Sequence, residues 1–336
     1  MTIKKLSSYR SVWMGIAMLW IMTFHSALFF DNTVLDFLKS IGYAGVDIFL
    51  FSAGLGSYFS YLRDEAPLEY LKRRIFRLAP VYLPFICFWM YYKHHMGQWS
   101  SNLIIGNLFA IQGFSSIGVF FNWYLTCIII CYILTPYLAI FIRDNRLIKS
   151  IILIILLLIL STTFWNDERF LIVASRVPIY VIGMIIAKYN YVKINTKHIL
   201  SGIISFSIGI ICVYLSFKHA HDYLRDYALY WYPFVLITPF LCYIFSVLAY
   251  YFEKNRITSV IITLLKKVGE YSFEIFLLHI FLFDFVCSRR EIFLYVDTRW
   301  FWGVMFIITF LCSYILRIIS LLIIKFFVNG KPSVPF

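Results

Sequence analysis

The chain has 336 residues, of which 62% are hydrophobic and only 14% are charged, and its mean hydropathy is +0.82. A soluble domain is typically about 25% charged, and a chain this apolar could not cover its core with polar surface in water. The net charge of +13 does not indicate nucleic-acid binding, because the basic residues lie in short clusters between apolar runs. Composition therefore predicts an all-α, polytopic integral membrane protein with one domain over residues 1–336.

Roughly 20 mostly apolar residues are needed for one membrane-spanning helix. By this criterion the sequence predicts about ten spans. In chain order they lie at 12–30, 43–62, 75–93, 119–142, 149–165, 172–189, 199–217, 230–251, 270–287 and 300–327. The apolar segment 103–113 is too short to span and is expected to form a re-entrant or interfacial helix.

The distribution of Lys and Arg between the spans predicts the orientation of the chain. Most of them fall in segments that face the cytoplasm if the N-terminus is cytoplasmic, as the positive-inside rule requires. An even number of spans then places the C-terminus in the cytoplasm as well. The N-terminus has the charged start of a signal peptide without a small-residue cleavage site, so the first helix is expected to be retained.

The cysteines do not indicate a disulfide framework or a metal site. All seven lie within or beside apolar runs, and none forms a Cys-x-x-Cys pair. We interpret them as small apolar packing residues, and no metal is expected.

Ionisable side chains inside spans are costly and mark functional candidates. His25, Asp47 and Arg176 all lie in the outer part of their spans and could converge on one outward-facing site. A histidine beside a carboxylate is the usual arrangement of a general base. A buried histidine that satisfies a neighbouring carbonyl is the alternative. The other members of this set are His279, Glu274, Asp284 and Arg317. Glu274 is expected to pair with Lys266, Lys267 or a Tyr hydroxyl, and Arg317 with Asp284.

A basic cluster opens the third predicted span. Arg74 and Arg77 are three residues apart and share one helical face, while Arg73 precedes them. Paired guanidinium groups suit phosphate, although ordinary positive-inside anchoring explains the same charges. Pro80 and Pro84 follow and predict a bent or broken helix.

An anion site inside and a histidine–acid pair outside are compatible with two functions. An enzyme could take an activated group from a cytoplasmic phosphate-bearing donor and pass it to an outer acceptor. A transporter or flippase for an anionic or lipid-linked solute fits the same residues, and it predicts binding without group transfer. A non-catalytic scaffold would leave the grouping of polar residues unexplained.

Six segments together resemble acyltransferase family 3, the membrane O-acyltransferases of bacterial surface glycans. The resemblance lies in YRSVWMGIAMLWIMTFHS (9–26), GVDIFLFSAGLGSYF (45–59), YLKRRIFRLAPVY (70–82), NWYLTCIIICYILTPYL (122–138), SRVPIYVIGMIIAKY (175–189) and VGEYSFEIFLLHIFL (268–282). These segments occur in the family's order and cover nearly the whole chain.

The resemblance implies roles for individual residues. His25 matches the catalytic histidine, Arg74 and Arg77 match the pair that handles the acyl-CoA donor, and Arg176 and His279 match residues of later motifs. Asp47, near His25 in depth, is expected to assist it, and Arg176 or His279 to stabilise the oxyanion. Direct transfer and an acetyl-histidine intermediate both stay open.

One position departs from the family pattern. The usual motif places an Arg eleven residues before the catalytic His, and that position is Met14 here. Arg10, one helical turn earlier on roughly the same face, is the nearest substitute.

The resemblance also implies partners and a location. The expected donor is acetyl-CoA, and the expected acceptor is a sugar hydroxyl of a cell-surface or lipid-linked glycan. The expected location is the bacterial plasma membrane, with membrane lipid around the chain and no nucleic-acid partner. The oligomeric state stays open, a homodimer included.

Overall fold

The structure of the protein is a computed structural model, which describes residues 2–98, 100–111, 123–163, 167–219, 230–287 and 298–327. Within these ranges the regular structure is helical, and the only β pairing is an isolated bridge between Thr2 and Lys193. The predicted all-α membrane fold is confirmed.

Most of the described residues belong to α-helices. In chain order they are α1 (Ile3–Ser7), α2 (Arg10–His25), α3 (Thr33–Ser40), α4 (Gly45–Leu62), α5 (Pro67–His95), α6 (Ser101–Leu108), α7 (Trp123–Asp144), α8 (Leu147–Thr162), α9 (Glu168–Ala174), α10 (Val177–Lys188), α11 (Thr196–His219), α12 (Pro233–Phe252), α13 (Arg256–Glu270), α14 (Ser272–Cys287) and α15 (Thr298–Phe327). A short 3-10 helix, Gly42–Ala44, leads into α4.

Each of the ten predicted spans coincides with helix. Six candidate spans of the described chain are long and apolar enough to cross a membrane, namely Pro67–His95, Trp123–Asp144, Phe170–Lys188, Thr196–Phe217, Pro233–Phe252 and Arg299–Phe326. The other four predicted spans correspond to α2, α4, α8 and α14, which have only 16 to 18 residues. Their length of about 24–27 Å is slightly less than a bilayer core of about 30 Å. The number of crossings and the side of the termini therefore remain predictions.

The helices differ from the predicted spans within the sixth span. The helix of the predicted span 172–189 is interrupted at Ser175 and Arg176, between α9 and α10. Pro178 lies in the first turn of α10, where its missing N–H costs nothing. In contrast, α5 continues through Pro80 and Pro84, so of the predicted bent or broken helix the break does not occur. Three predicted boundaries lie outside the described residues. They are the start of the span 119–142, the end of the span 149–165 and the end of the segment 103–113.

An amphipathic helix, α13, occupies a stretch that the sequence suggested was a cytoplasmic loop. Its side chains Ile257, Val260 and Leu264 are exposed apolar groups, as expected for a helix lying at a membrane surface. Lys266 pairs with Glu253 at 2.7 Å, and Tyr9 donates a hydrogen bond to the same carboxylate at 2.9 Å. The hydrogen bond from Lys266 holds the pKa of Glu253 below its usual range. These contacts attach α13 to the beginning of the chain.

Glycines bring two helix pairs to backbone contact. A Cβ atom on Gly54 of α4 would collide with the Tyr180 carbonyl of α10, and one on Gly183 of α10 would collide with the Phe51 carbonyl. Close approach through small residues is the common way to pack helices in a membrane.

The second pair holds α2 against α13 in the same way. A Cβ on Gly15 would collide with the Leu265 carbonyl, and one on Gly269 with the Ser11 carbonyl. Backbone contacts therefore fix both α2, which carries Arg10 and His25, and α4, which carries Asp47.

Gly183→Ala is expected to lower the stability of the protein by about 1–3 kcal/mol, because the added methyl group overpacks the α4–α10 contact. Gly303→Ala is the matched control, since a Cβ there meets open space. The thermal unfolding midpoint in detergent measures both. A midpoint for Gly183→Ala equal to that of Gly303→Ala would contradict the close packing.

Candidate active site

Three arginines, Arg10, Arg74 and Arg77, form the arginine cluster at one end of α2. The Nη1 atom of Arg10 lies 2.8 Å from the position that a Cβ on Gly56 would take, and Arg74 Nη2 donates to the Gly56 carbonyl at 3.4 Å. Arg74 and Arg77 both repel Arg10 electrostatically. The structure therefore brings the three predicted donor-binding residues together, although two helices supply them.

The cluster carries positive charge without a paired acid. Among the described residues none of its three members forms an ion pair, whereas the neighbouring Arg73 pairs with Asp64 at 2.7 Å. Glu274 attracts Arg77 but forms its ion pair with Arg317. Like charges held this close favour the binding of an anion.

Aromatic rings fix Arg74 within the cluster. Its guanidinium lies 5.1 Å from the ring centroids of both Tyr70 and Tyr132, and its Nε has no hydrogen-bond partner in the described chain. Cation–π contacts of this kind hold a guanidinium in place while leaving its N–H donors available.

Two histidines meet at the other end of α2. The rings of His25 and His279 have centroids 5.2 Å apart. His25 is exposed, whereas His279 is fully buried within α14. The last residue of α2 and a residue of the penultimate described helix thus form one histidine pair.

The hydrogen bonds of His279 define its tautomer. Its Nδ1 lies 3.1 Å from the Ile275 carbonyl and 2.8 Å from the Phe276 carbonyl, and its Nε2 has no partner among the described residues. Since a carbonyl oxygen can only accept, Nδ1 carries the proton and Nε2 keeps its lone pair. A neutral His279 can therefore accept a proton or hydrogen bond at Nε2 and cannot donate one to an oxyanion there.

Asp47 pairs with Arg176 and not with His25. Arg176 Nη2 lies 3.8 Å from Asp47 Oδ2, and both residues are only 1% exposed. No contact within the described chain joins Asp47 to His25, so the structure gives no support to the expected assistance by this acid.

Arg176 occupies an aromatic box at the break between α9 and α10. Its guanidinium lies 4.9 Å from the ring centroid of Trp123 and 5.7 Å from that of Trp231. Its Nε and Nη1 atoms are buried without hydrogen-bond partners in the described chain. These two buried nitrogen atoms can therefore donate hydrogen bonds to an oxygen atom that the described residues do not supply.

The two ends of the site are separated by the length of one helix. Arg10 and His25 begin and end α2, and the rise per residue sets them about 22 Å apart along its axis. The site therefore has an anion-binding end and a histidine end.

Sequence reasoning missed several partners in this region. Glu274 pairs with Arg317 at 2.5 Å, and not with Lys266 or Lys267. The expected pairing of Arg317 with Asp284 was therefore wrong. No spacing in the sequence indicates this contact, because Glu274 and Arg317 lie on different helices, α14 and α15. No group of three His, Cys, Asp or Glu side chains that could hold a metal occurs in the described part of the chain.

A comparison with protein families decides the class of the protein. The family model for the acyltransferase domain of acyltransferase family 3 matches residues 13–318. The chain belongs to this family. The match includes every candidate site residue except Arg10, which lies three residues before it. No curated protein and no solved structure matches the chain.

Family membership and the apolar helices make the chain a multi-pass membrane acyltransferase. The family's usual arginine position is occupied by Met14, yet Arg10 places its guanidinium in the arginine cluster. The helix α2 therefore contributes to both ends of the acyltransferase site, with Arg10 at its start and His25 at its end.

Arg176→Met is expected to cost about 3–5 kcal/mol of stability, because it leaves the buried carboxylate of Asp47 unpaired. The double variant Asp47→Leu/Arg176→Met removes both charges and should recover much of this loss. Thermal unfolding compares the three proteins. Equal unfolding midpoints for wild type and Arg176→Met would mean that the Asp47–Arg176 ion pair does not stabilise the fold.

Proposed function

We propose that this acyltransferase moves an acetyl group from cytoplasmic acetyl-CoA to a sugar hydroxyl of a cell-surface or lipid-linked glycan at the outer face. The supporting observation is the placement of an unneutralised arginine cluster and a histidine pair at the two ends of α2. The protein would act in the bacterial plasma membrane, with its N-terminus and C-terminus in the cytoplasm and residues 1–336 as a single transmembrane acyltransferase domain.

The arginine cluster provides the donor site of this proposal. Coenzyme A carries phosphate groups at one end of a long chain and the thioester at the other. Arg10, Arg74 and Arg77 would bind the phosphates through charge-assisted hydrogen bonds. The thioester would then extend along α2 towards His25.

The histidine pair provides the base. His25 takes the proton from the acceptor hydroxyl as its oxygen attacks the thioester carbonyl carbon. The carbon–sulfur bond then breaks, and the sulfur leaves with the proton as the free thiol of CoA. During the reaction His279 would accept a hydrogen bond from His25 at its unpartnered Nε2 and so orient the ring.

The tetrahedral intermediate needs a donor for its oxyanion. The tautomer of His279 disfavours it for this role, whereas Arg176 has two buried N–H groups without partners. Arg176 is therefore our candidate for oxyanion stabilisation, and the Trp123 ring beside it is a candidate platform for the sugar.

Release of CoA thiol by purified protein in lipid vesicles tests the proposal. Acetyl-CoA alone should give slow release, and an added glycan acceptor should accelerate it and become acetylated. A transporter or flippase would bind the donor or acceptor without releasing thiol. Thiol release that no added glycan accelerates, or no release at all with a panel of acetylatable glycans, would overturn the proposed transfer.

A further inference from the structure

An apolar cavity of about 300 Å³ lies between the start of the chain and helices α4, α11 and α12. Its buried walls are formed by Leu6, Trp13, Phe51, Leu55 and Cys242. This volume is at the lower end of the range for small-molecule binding pockets. None of its lining residues belongs to the arginine cluster, the histidine pair or the Arg176 box.

The first residues of the chain close one side of this cavity. The backbone N–H of Ile3 bonds to the Val192 carbonyl at 3.4 Å, and that of Lys4 to the Asn190 carbonyl at 2.9 Å. The Ser246 hydroxyl donates to the Leu6 carbonyl at 3.3 Å. The short helix α1 is thereby fixed with Ile3 and Leu6 facing the cavity.

The exposure of the lining residues shows where the cavity opens. Its exposed members are Val192, which precedes α11, and His198 and Ser201, which lie in the first two turns of α11. Since α11 is a candidate span, this opening lies at the start of a helix that is long and apolar enough to cross a membrane.

Lysines adjoin the lining residues along the chain, and no acid occurs in the same segments. Lys193 and Lys197 are exposed on the segment that forms the mouth, and Lys4 is exposed on α1. Residues 190–201 and 2–8 contain no Asp or Glu. Lys5 is attracted by Glu253, so it belongs to the contact with α13 and not to the free positive charge. The mouth therefore combines an apolar interior with a cationic rim.

We propose that this cavity binds an acyl chain of an anionic phospholipid, with the lipid headgroup on Lys193 and Lys197. The apolar interior suits a hydrocarbon chain, and the lysine rim complements a negatively charged headgroup at the membrane surface. A zwitterionic phospholipid offers the same chain without the net charge. The site is distinct from the one that transfers the acyl group, and the inference does not depend on the proposed donor or acceptor.

The bound lipid also touches the helices that carry the active site. Trp13 of α2 and Phe51 of α4 form the inner wall, and their ring centroids are 6.1 Å apart. The Trp13 indole donates to Ser246 at 2.8 Å, which links this wall to α12. A lipid in the cavity therefore fills the space beside three helices at once and should stabilise the protein.

Thermal unfolding in detergent with added lipid tests this proposal. Long-chain phosphatidylglycerol should raise the unfolding midpoint more than long-chain phosphatidylcholine, and a short-chain phosphatidylglycerol should have little effect. The Lys193→Glu/Lys197→Glu variant should need about tenfold more phosphatidylglycerol, or still more, to reach the same rise in the unfolding midpoint. Arg146→Glu/Lys149→Glu, an exposed basic pair away from the cavity, is the matched control and should respond like wild type.

A cavity-filling variant tests the hydrocarbon part separately. Ser201→Trp at the exposed mouth should reduce the phosphatidylglycerol retained in native mass spectrometry, while leaving the lipid-free midpoint near that of wild type. Equal effects of the anionic and zwitterionic lipids, an equal response to the short-chain lipid, or an unchanged response of Lys193→Glu/Lys197→Glu would each overturn the proposal.

Discussion

His25→Ala is expected to reduce acetyl transfer by about 10²–10⁴-fold, because it removes the base that takes the proton from the acceptor hydroxyl. The residue is exposed at the end of α2 and makes no hydrogen bond within the described chain, so its loss should not disturb folding. The acceptor-dependent release of CoA thiol by purified protein in lipid vesicles measures the effect.

His95→Ala provides the matched control, since His95 is an exposed histidine at the end of α5. It should transfer at the wild-type rate. Unfolding midpoints of both variants should equal that of wild type. Normal turnover by a well-folded His25→Ala protein would remove the base from the proposed mechanism.

Arg74→Ala and Arg77→Ala are each expected to raise the KM for acetyl-CoA by about 10- to 100-fold, because each removes a hydrogen-bonding cation from the phosphates of the donor. The effect should fall mainly on KM, since the cluster lies about 22 Å from the base along α2. Initial rates measured against acetyl-CoA concentration at saturating acceptor separate KM from kcat.

Arg73→Ala is the control for charge alone. It removes one arginine from the same helix, but Arg73 already forms an ion pair with Asp64 and donates a hydrogen bond to the Ser60 carbonyl. Its KM should stay within a few-fold of the wild-type value. If all three variants raised KM equally, the cluster would act as general positive charge and not as a binding site.

Helix positions could be predicted because apolar runs of sufficient length determine where a membrane chain is helical. The candidate residues His25, Asp47, Arg176 and His279 could also be found, since a polar side chain inside an apolar run is visible without a structure. Their partners could not be found. The depth of a residue in its span does not give the direction of its side chain around the helix axis.

The incorrect pairing of Asp47 illustrates this limit. Asp47 and His25 both lie near the outer ends of their helices, which suggested a contact. The packing of α4 against α10 through Gly54 and Gly183 instead directs Asp47 to Arg176. That arrangement depends on two glycines far apart in the sequence, and no local pattern indicates it.

The helix α13 was missed for a different reason. Its basic residues resemble an ordinary cytoplasmic loop, and its apolar residues are too dispersed to form a spanning run. Helical periodicity would have been the signal, because Ile257, Val260, Ile261 and Leu264 recur on one face. The same periodicity does not predict that Gly269 would bring this helix against α2.

The continuous α2 helix has a consequence for the choice of donor. Under the proposed function the anionic group of the donor is held at Arg10 and its reactive carbon must reach His25, a distance that the helix sets at about 22 Å. Both residues belong to one continuous helix, so movement of that helix does not shorten the distance. Acetyl phosphate has its phosphate and acetyl carbon joined through a single oxygen, so it cannot occupy both ends. We therefore expect the enzyme to select donors by molecular reach and to reject compact acetylating agents, however reactive they are.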